Sequence, residues 1–140
     1  MAEYIKIETQ EVGVNQNVLL EDSIPCPKGN VIHRNGTGIL TLRGVTNNCF
    51  ARYQVTFNGN IAVPADGEIG EISLAISLSG EALQSSLAIV TPAAVEEFFN
   101  VTSTAFITVP KGCCMTIAVE NTSDQPIDVA NANLVITRVA

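Results

Sequence analysis

The sequence contains no tryptophan, one histidine and few charges. Of its 140 residues, seven are Lys or Arg and 14 are Asp or Glu, so 15% are charged, against about 25% in typical soluble domains. The single histidine, His33, excludes a three-histidine metal site, and no spacing pairs it with a cysteine as a nucleophile. Its place beside Arg34, just before Asn35 and Gly36, predicts a surface residue at a strand end. We therefore expect no catalytic residue, no metal and no cofactor.

Clusters of basic residues are also absent. The seven bases are spread along the chain and the formal net charge is −7, so the phosphate contacts that nucleic-acid binding needs are not expected. No apolar run approaches the ~20 residues of a membrane span. The first residues lack the basic and apolar regions of a signal peptide. These absences predict a protein that binds neither nucleic acid nor membrane and folds in a cytoplasm.

Cysteines are few: Cys26, Cys49, Cys113 and Cys114. Four cysteines could form two disulfides, but without a secretory signal nothing indicates an oxidising compartment. The adjacent pair Cys113 and Cys114 does not have the spacing of a zinc-binding CxxC motif. We expect free, buried thiols, with Cys114 on the outward side of its strand.

The sequence is rich in apolar and polar residues that alternate with a period of two. Residues 71–79 read Glu-Ile-Ser-Leu-Ala-Ile-Ser-Leu-Ser, which predicts a strand with one buried face and one solvent-exposed serine face. Similar runs predict further strands at 18–24, 31–34, 39–43, 49–63, 82–90, 98–109, 113–120 and 127–139, with a bulge or bend at 58–60. This pattern predicts an all-β fold, a ten-stranded jelly-roll sandwich.

Three other features of the sequence concern a short predicted helix, the bounds of the domain and a pair of carboxylates. Residues 91–97 begin with Thr-Pro and predict one or two helical turns. Residues 1–13 mix polar and apolar side chains and predict an N-terminal arm or an edge strand, which leaves residues 14–140 as a single jelly-roll domain. Paired carboxylates such as Glu68 and Glu71 lie in turn-rich stretches, and we interpret them as solvated loops rather than as a glycosidase pair.

Two strands break the alternation in the same direction. Phe98 and Phe106 fall on an otherwise polar face of the 98–109 strand. In the last strand, Leu134 and Ile136 alternate with Val135 and Val139, so both faces carry apolar residues. A large apolar residue on a solvent face usually marks a covered surface. Two covers are open: a second subunit, or a loop or the N-terminal arm of the same chain.

The hairpin at 31–43, the long strand at 49–63 and the closing strand at 133–138 resemble the tumour necrosis factor and complement globular-head family. That family is a ten-stranded jelly roll whose members are typically trimers, and the resemblance covers about residues 14–140. It implies a homotrimer of tumour necrosis factor-like type. The subunit interface implied by it comprises Tyr53, Phe98, Phe106, Cys114, Val135 and Val139.

Three stretches, 53–61, 88–95 and 109–114, look like a group of small proteins encoded by bacteria, their phages and prophages, similar to virion head-fibre or decoration proteins. This resemblance implies a non-enzymatic structural protein on a virion surface, assembled in a bacterial cytoplasm. It also implies a capsid protein as a partner, contacted through residues 1–13. The alternative function is a jelly-roll module that binds a glycan or a cell-surface ligand.

Overall fold

The computed structural model describes residues 2–24, 31–33 and 36–139. Its strands are β1 (Ala2–Lys6), β2 (Gln10–Val12), β3 (Asp22–Ile24), β4 (Val31–His33), β5 (Leu40–Arg43), β6 (Phe50–Ala62), β7 (Ile72–Leu78), β8 (Glu81–Ala82), β9 (Ala88–Val90), β10 (Phe99–Pro110), β11 (Cys114–Asn121) and β12 (Ile127–Arg138). A short 3-10 helix at Gln84–Ser86 is the only helix among these residues, and no helix in the described ranges is long and apolar enough to cross a membrane.

The strands form two antiparallel sheets of six strands each. In the first sheet the order is β10-β6-β12-β1-β3, and β2 also pairs with β12; in the second the order is β4-β5-β11-β7-β8, and β9 also pairs with β7. The inward side chains of both sheets form one hydrophobic core. The all-β sandwich predicted from the sequence is therefore confirmed, with some of the predicted strands divided into shorter ones.

Alternation decides which side chains of the long strands enter the core. In β6 the inward positions Ala51, Tyr53, Val55 and Phe57 are buried, whereas the positions between them are exposed or half-buried. The same pattern runs through β10, where five alternate positions from Val101 to Val109 are buried. Strand side chains alternate between the two faces, so a period of two is sufficient to assign the core face here.

Within the segment expected to be an arm or an edge strand, residues 2–6 and 10–12 form strands of the first sheet. β1 lies between β12 and β3, and β2 pairs with the first residues of β12. Tyr4 and Val12 are almost fully buried in the core. Through these two side chains, β1 and β2 contribute to the same hydrophobic core as the other strands.

Strand β7 is buried on both faces, which corrects the expectation of a solvent-exposed serine face. Ser73, Ala75 and Ser77 are at most 7% exposed. The Ser73 hydroxyl lies 2.7 Å from that of Thr122, and the Ser77 hydroxyl donates to the carbonyl of Ala118. β7 is flanked by β11 on one side and by β8 and β9 on the other, so its small side chains are shielded by their neighbours. Serine in this strand therefore marks tight packing rather than solvent.

Three local predictions are also wrong. Residues 91–97 form no helix: Glu96 has a positive φ of 58°, and its N–H donates to Val63 O at 2.8 Å. The predicted strand 82–90 is interrupted by the 3-10 helix, where the Ser86 hydroxyl accepts the N–H of Ile76. The irregularity expected at 58–60 lies in the partner strand β12, where the register shifts between Ala130 and Asn133.

Asn121, at the end of β11, connects three loops through a fully buried amide. Its Nδ2 lies within 3.0–3.2 Å of the carbonyl oxygens of Val12, Gly13 and Gln125, and its Oδ1 accepts the N–H of Ser123. A buried polar group is tolerated when its partners are satisfied, and it becomes costly to disrupt. This side chain therefore holds the β11–β12 loop against the end of β2.

We predict that Asn121→Ala lowers the free energy of unfolding by about 3 kcal/mol, because it leaves three carbonyls and one N–H without their partner. Urea denaturation followed by circular dichroism measures the loss. Asn47→Ala, at an exposed loop position, is the matched control and should change the stability by less than about 0.5 kcal/mol. A loss below about 1 kcal/mol for Asn121→Ala would contradict the role given to this amide.

Candidate interaction face

The outward positions of β6, β10 and the centre of β12 carry amides, hydroxyls and a few apolar side chains, and they are bordered by Glu3 of β1, whose carboxylate accepts a hydrogen bond from Nδ2 of Asn133. Along β6 and β10 the outward positions between Arg52 and Ala62 are Gln54, Thr56, Asn58, Asn60, Asn100, Thr102, Thr104 and Phe106. In β12 the outward positions at the centre are Asn133, Val135 and Thr137. We call this surface the uncharged face. Its composition follows from the alternation that places the apolar partners of these residues in the core.

Side-chain hydrogen bonds connect the polar residues of the uncharged face across the strands. Nδ2 of Asn100 donates to Oδ1 of Asn58 at 2.9 Å, and Nδ2 of Asn60 donates to Oδ1 of Asn131 at 3.2 Å. The hydroxyls of Thr56 and Thr104 lie 3.3 Å apart. Groups that already bond one another lose less when water is removed from above them, so this face can be covered at a modest desolvation cost.

Apolar side chains lie among these amides. Phe106 is 54% exposed, and the Arg52 guanidinium carbon lies 5.1 Å from the centre of its ring. Phe98, just before β10, is 41% exposed, whereas Phe99, 38% exposed, lies opposite Ile61 on the core side at the end of the strand. Val135 is half-buried at the centre of β12. Large exposed aromatics on an uncharged surface are typical of the centre of a protein interface.

The structure separates the six residues that the family resemblance implied as an interface. Phe98, Phe106, Val135 and Val139 lie on the uncharged face or at its ends. Tyr53 is 1% exposed and its hydroxyl donates to Arg43 O at 2.6 Å, so it has no surface left for a second subunit to cover. Cys114 lies opposite Arg43 in the second sheet. The interface considered below therefore excludes Tyr53 and Cys114.

Several charged residues lie at the two ends of the sandwich. Arg43 ends β5, Arg52 begins β6, Lys111 lies in the β10–β11 turn and Arg138 ends β12. Backbone bonds connect these segments, for example from Val139 N to Arg52 O at 2.9 Å and from Lys111 N to Cys49 O at 3.0 Å. We call this the basic end. Bases that are far apart in the sequence are thus neighbours in space, which linear spacing could not indicate.

The opposite end carries carboxylates. Its loops contain Asp66, Glu68, Glu71, Glu96, Glu97 and Asp124. Asp66, Glu68, Glu71 and Asp124 line an open cleft of about 690 Å³. Gln125 also lines it, and its side chain accepts the N–H of Glu68 and donates to the carbonyl of Glu68. We call this the acidic end. No group of three or more His, Cys, Asp or Glu side chains suited to holding a metal occurs within the described ranges.

The pKa of Asp128, at the start of β12, is affected by the negative charges of the acidic end. Partial burial raises the pKa of its carboxyl above the ordinary value of 3.8, and the neighbouring carboxylates of Glu11, Glu96 and Asp66 raise it further. All of these causes disfavour the charged form. The acidic end is therefore a site of like-charge repulsion within the folded protein.

His33 and the cysteines differ from the sequence prediction. The His33 ring is half-buried and packs edge-on against Tyr4, with centroids 4.8 Å apart, and its Nε2 lies 2.9 Å from Thr37 O. Because a carbonyl can only accept, Nε2 donates. Three cysteines, Cys49, Cys113 and Cys114, are free but exposed rather than buried. Cys26 lies outside the described residues.

Comparisons with known proteins identify the fold. No protein-family model matches the sequence, and no curated protein matches it. The Eiger tumour necrosis factor of S. frugiperda superimposes with a TM-score of 0.69 at 13% identity, covering 100% of this chain and 92% of that one. The globular domain of zebrafish complement 1qA superimposes with a TM-score of 0.63 at 16% identity, covering 96% and 94%.

The fold is a jelly roll of the tumour necrosis factor and complement type. The likeness extends over nearly the full length of both matched domains, so the predicted fold class is confirmed. At these identities the likeness shows the fold alone. A shared fold can host unrelated functions, so the function has to be argued from the surface.

We predict that Asp128→Asn stabilises the protein at neutral pH by less than about 1 kcal/mol, since solvent screens this half-buried group. The pKa of Asp128 is raised in the folded state, so the wild type loses stability as the pH rises through that pKa. The gain from the substitution should therefore be present at pH 7 and vanish below pH 3.8.

Thermal unfolding of both proteins between pH 3 and pH 8 measures this difference. Glu97→Gln, an exposed carboxylate in a loop, is the control and should give a smaller and flatter difference. A stabilisation by Asp128→Asn that grows towards low pH would have the wrong sign.

Proposed function

We propose that the protein is a non-enzymatic structural protein, a homotrimeric head-fibre or capsid-decorating protein of a virion. The observation that carries the self-association is the uncharged face, with Phe106 exposed at its side. The jelly-roll fold supports a rigid module of this kind, and members of the family that the sequence resembles are typically trimers. The virion part is supported by the resemblance of stretches 53–61, 88–95 and 109–114 to phage and prophage proteins.

Charge favours the uncharged face as the contact between copies. Each chain carries a net charge of −7, so copies repel unless they meet where charges are absent, because like charges placed opposite one another cost several kcal/mol. The outward positions of β6 and β10 between Arg52 and Ala62 carry no acid, and the carboxylate of Glu3, which borders them beyond β12, is already hydrogen-bonded to Asn133. Contact between acidic ends is disfavoured for the same reason.

The size of the uncharged face is compatible with a subunit contact. Over the uncharged positions, three strands of about seven residues cover roughly 340 Å² in projection, at about 3.4 Å per residue and 4.8 Å between strands. A standard interface removes about 800 Å² of accessible surface from each partner. A subunit contact of standard size would therefore bury the uncharged face together with residues that border it, such as Phe98 and Val139.

Attachment to a capsid requires a surface other than residues 1–13. Tyr4 and Val12 are buried in the core, so releasing this segment would open the first sheet. In a trimer built about the uncharged face with parallel subunits, the three basic ends gather at one pole and the three acidic ends at the other. Both poles remain accessible to a capsid protein, and the protein would act at the virion surface after assembly in a bacterial cytoplasm.

We predict that the wild-type protein has the mass of three chains by size-exclusion chromatography with light scattering at micromolar concentration. Phe106→Ser should weaken the assembly at least tenfold, because it removes a large exposed aromatic from the contact. Ile89→Ser is the control: Ile89 is similarly exposed at 50% but lies in β9 of the second sheet. It should leave the mass unchanged.

A monomeric wild type would contradict the trimer and with it most of the proposed function. A trimer that Ile89→Ser dissociates and Phe106→Ser does not would place the contact on the other sheet. The virion part is tested separately by mass spectrometry of purified particles and by whether capsid and portal genes flank the gene. Specific binding by the isolated protein on a glycan array would instead support a carbohydrate-recognition module.

A further inference from the structure

Three exposed thiols lie together at the basic end. Cys49 precedes β6, Cys113 ends the β10–β11 turn and Cys114 begins β11, and all three are free and exposed. Neither the fold nor the uncharged face needs them, since both are built from other residues. Exposed free cysteines are reactive groups that surfaces usually avoid. Three of them at one end of a 140-residue domain therefore form a reactive surface.

Backbone hydrogen bonds hold this thiol cluster in place. The N–H of Gly44 donates to Cys113 O at 2.8 Å, and Gly44 O accepts the N–H of Gly112 at 3.0 Å. A Cβ at Gly44 would lie 2.1 Å from Pro110 O, so only glycine permits this close approach. Lys111 N donates to Cys49 O at 3.0 Å. The two loops that carry the thiols are thus fixed to each other rather than independently placed.

The charges around the cluster are positive, although the whole chain is acidic. Arg43 lies directly opposite Cys114 in the β5–β11 pair, and Lys111 lies between Cys49 and Cys113. The segments 43–54, 104–116 and 132–139 that meet here contain four bases and no Asp or Glu. The formal charge of these described segments is therefore positive, opposite in sign to the net charge of −7.

The nearest acid along the second sheet is too far away to cancel this positive charge. Glu81 pairs with Leu78, which pairs with Ile117, three residues along β11 from Cys114. Two strand spacings and three residue rises give roughly 14 Å. That exceeds the Debye length of about 8 Å at physiological ionic strength, so Glu81 is screened from the thiols.

We propose that the basic end is a modification site that forms mixed disulfides with anionic low-molecular-mass disulfides of the glutathione type. A cysteine thiolate attacks one sulfur of the reagent, a protein–reagent S–S bond forms, and the reagent's own S–S bond breaks. The leaving thiolate takes up a proton equivalent to the one the cysteine released. The protein thiol is oxidised and half of the reagent is reduced, so no further oxidant is needed.

Charge selects this reaction over a disulfide between two copies. Two basic ends repel one another as they approach, whereas a reagent that carries carboxylates is attracted and locally concentrated. A cationic disulfide of similar size is repelled by the same potential. The site therefore discriminates among disulfides by charge, and that discrimination can be measured.

The test compares three disulfides on the intact protein carrying Cys26→Ser: glutathione disulfide (anionic), hydroxyethyl disulfide (neutral) and cystamine (cationic). Each rate is divided by that of the same reagent with a neutral capped cysteine peptide, which removes intrinsic reactivity. At physiological ionic strength, where acids beyond about 8 Å are screened, the normalised rate should be about tenfold higher for glutathione disulfide than for cystamine. In 0.5 M NaCl the ratio should fall below about twofold. Peptide mapping should place the adducts on Cys49, Cys113 and Cys114.

Charge-reversal variants distinguish the effect of the bases near the thiols from the effect of the net charge of the whole chain. Lys111→Glu, at an exposed turn position, should abolish the preference, while Glu68→Lys at the acidic end should leave it nearly unchanged. Circular dichroism of both variants verifies that they fold. Equal normalised rates, or a faster reaction with cystamine, would show that the net charge governs the site and would overturn the proposal. Absence of adducts at the three cysteines would also overturn it.

Discussion

The pairing of β6 with β10 on one side and β12 on the other is the constraint on which the rest of the structure depends. β6 pairs with β10 along 12 consecutive positions and with β12 along most of its length. Three long strands in fixed register place Val55, Phe57 and Ile136 in the core. The same register necessarily lifts Thr56, Asn58 and Phe106 to the outside, because successive side chains point to opposite faces.

The two charged ends are a second consequence of this register. Since β6, β10 and β12 run the full height of the sandwich, residues at their termini collect at one end or the other. Arg52, Lys111 and Arg138 meet at the basic end, and Asp66, Glu96 and Asp128 meet at the acidic end. Between the ends, the outward positions of β6, β10 and β12 are mostly amides and hydroxyls, together with Phe106 and Val135. A chain with only 15% charged residues thereby keeps a broad surface that a second copy can approach without repulsion.

The uncharged face and the thiol cluster are parts of the same jelly roll, but they are suited to different functions. The face is broad and built of hydrogen-bonded side chains, which suits contact with another protein surface. The cluster is small and held by backbone bonds around Gly44, which suits reaction with a small molecule. Because they lie on different parts of the sandwich, self-association and thiol modification can be tested independently. Neither proposal requires catalysis in the enzymatic sense, and neither uses the cleft at the acidic end.

Alternation in the sequence was enough to determine the all-β sandwich, the core face of β6 and β10, and the outward placement of Phe106, because a strand has a two-residue period that is visible without partners. Tertiary structure alone decided that both faces of β7 are buried, since that depends on which strands flank Ser73 and Ser77. It also decided that residues 2–6 and 10–12 enter the sheet and that Cys114 lies away from Phe106. The charged ends required it too: residues such as Arg43 and Arg138 become neighbours only through long-range strand pairing, which no local pattern encodes.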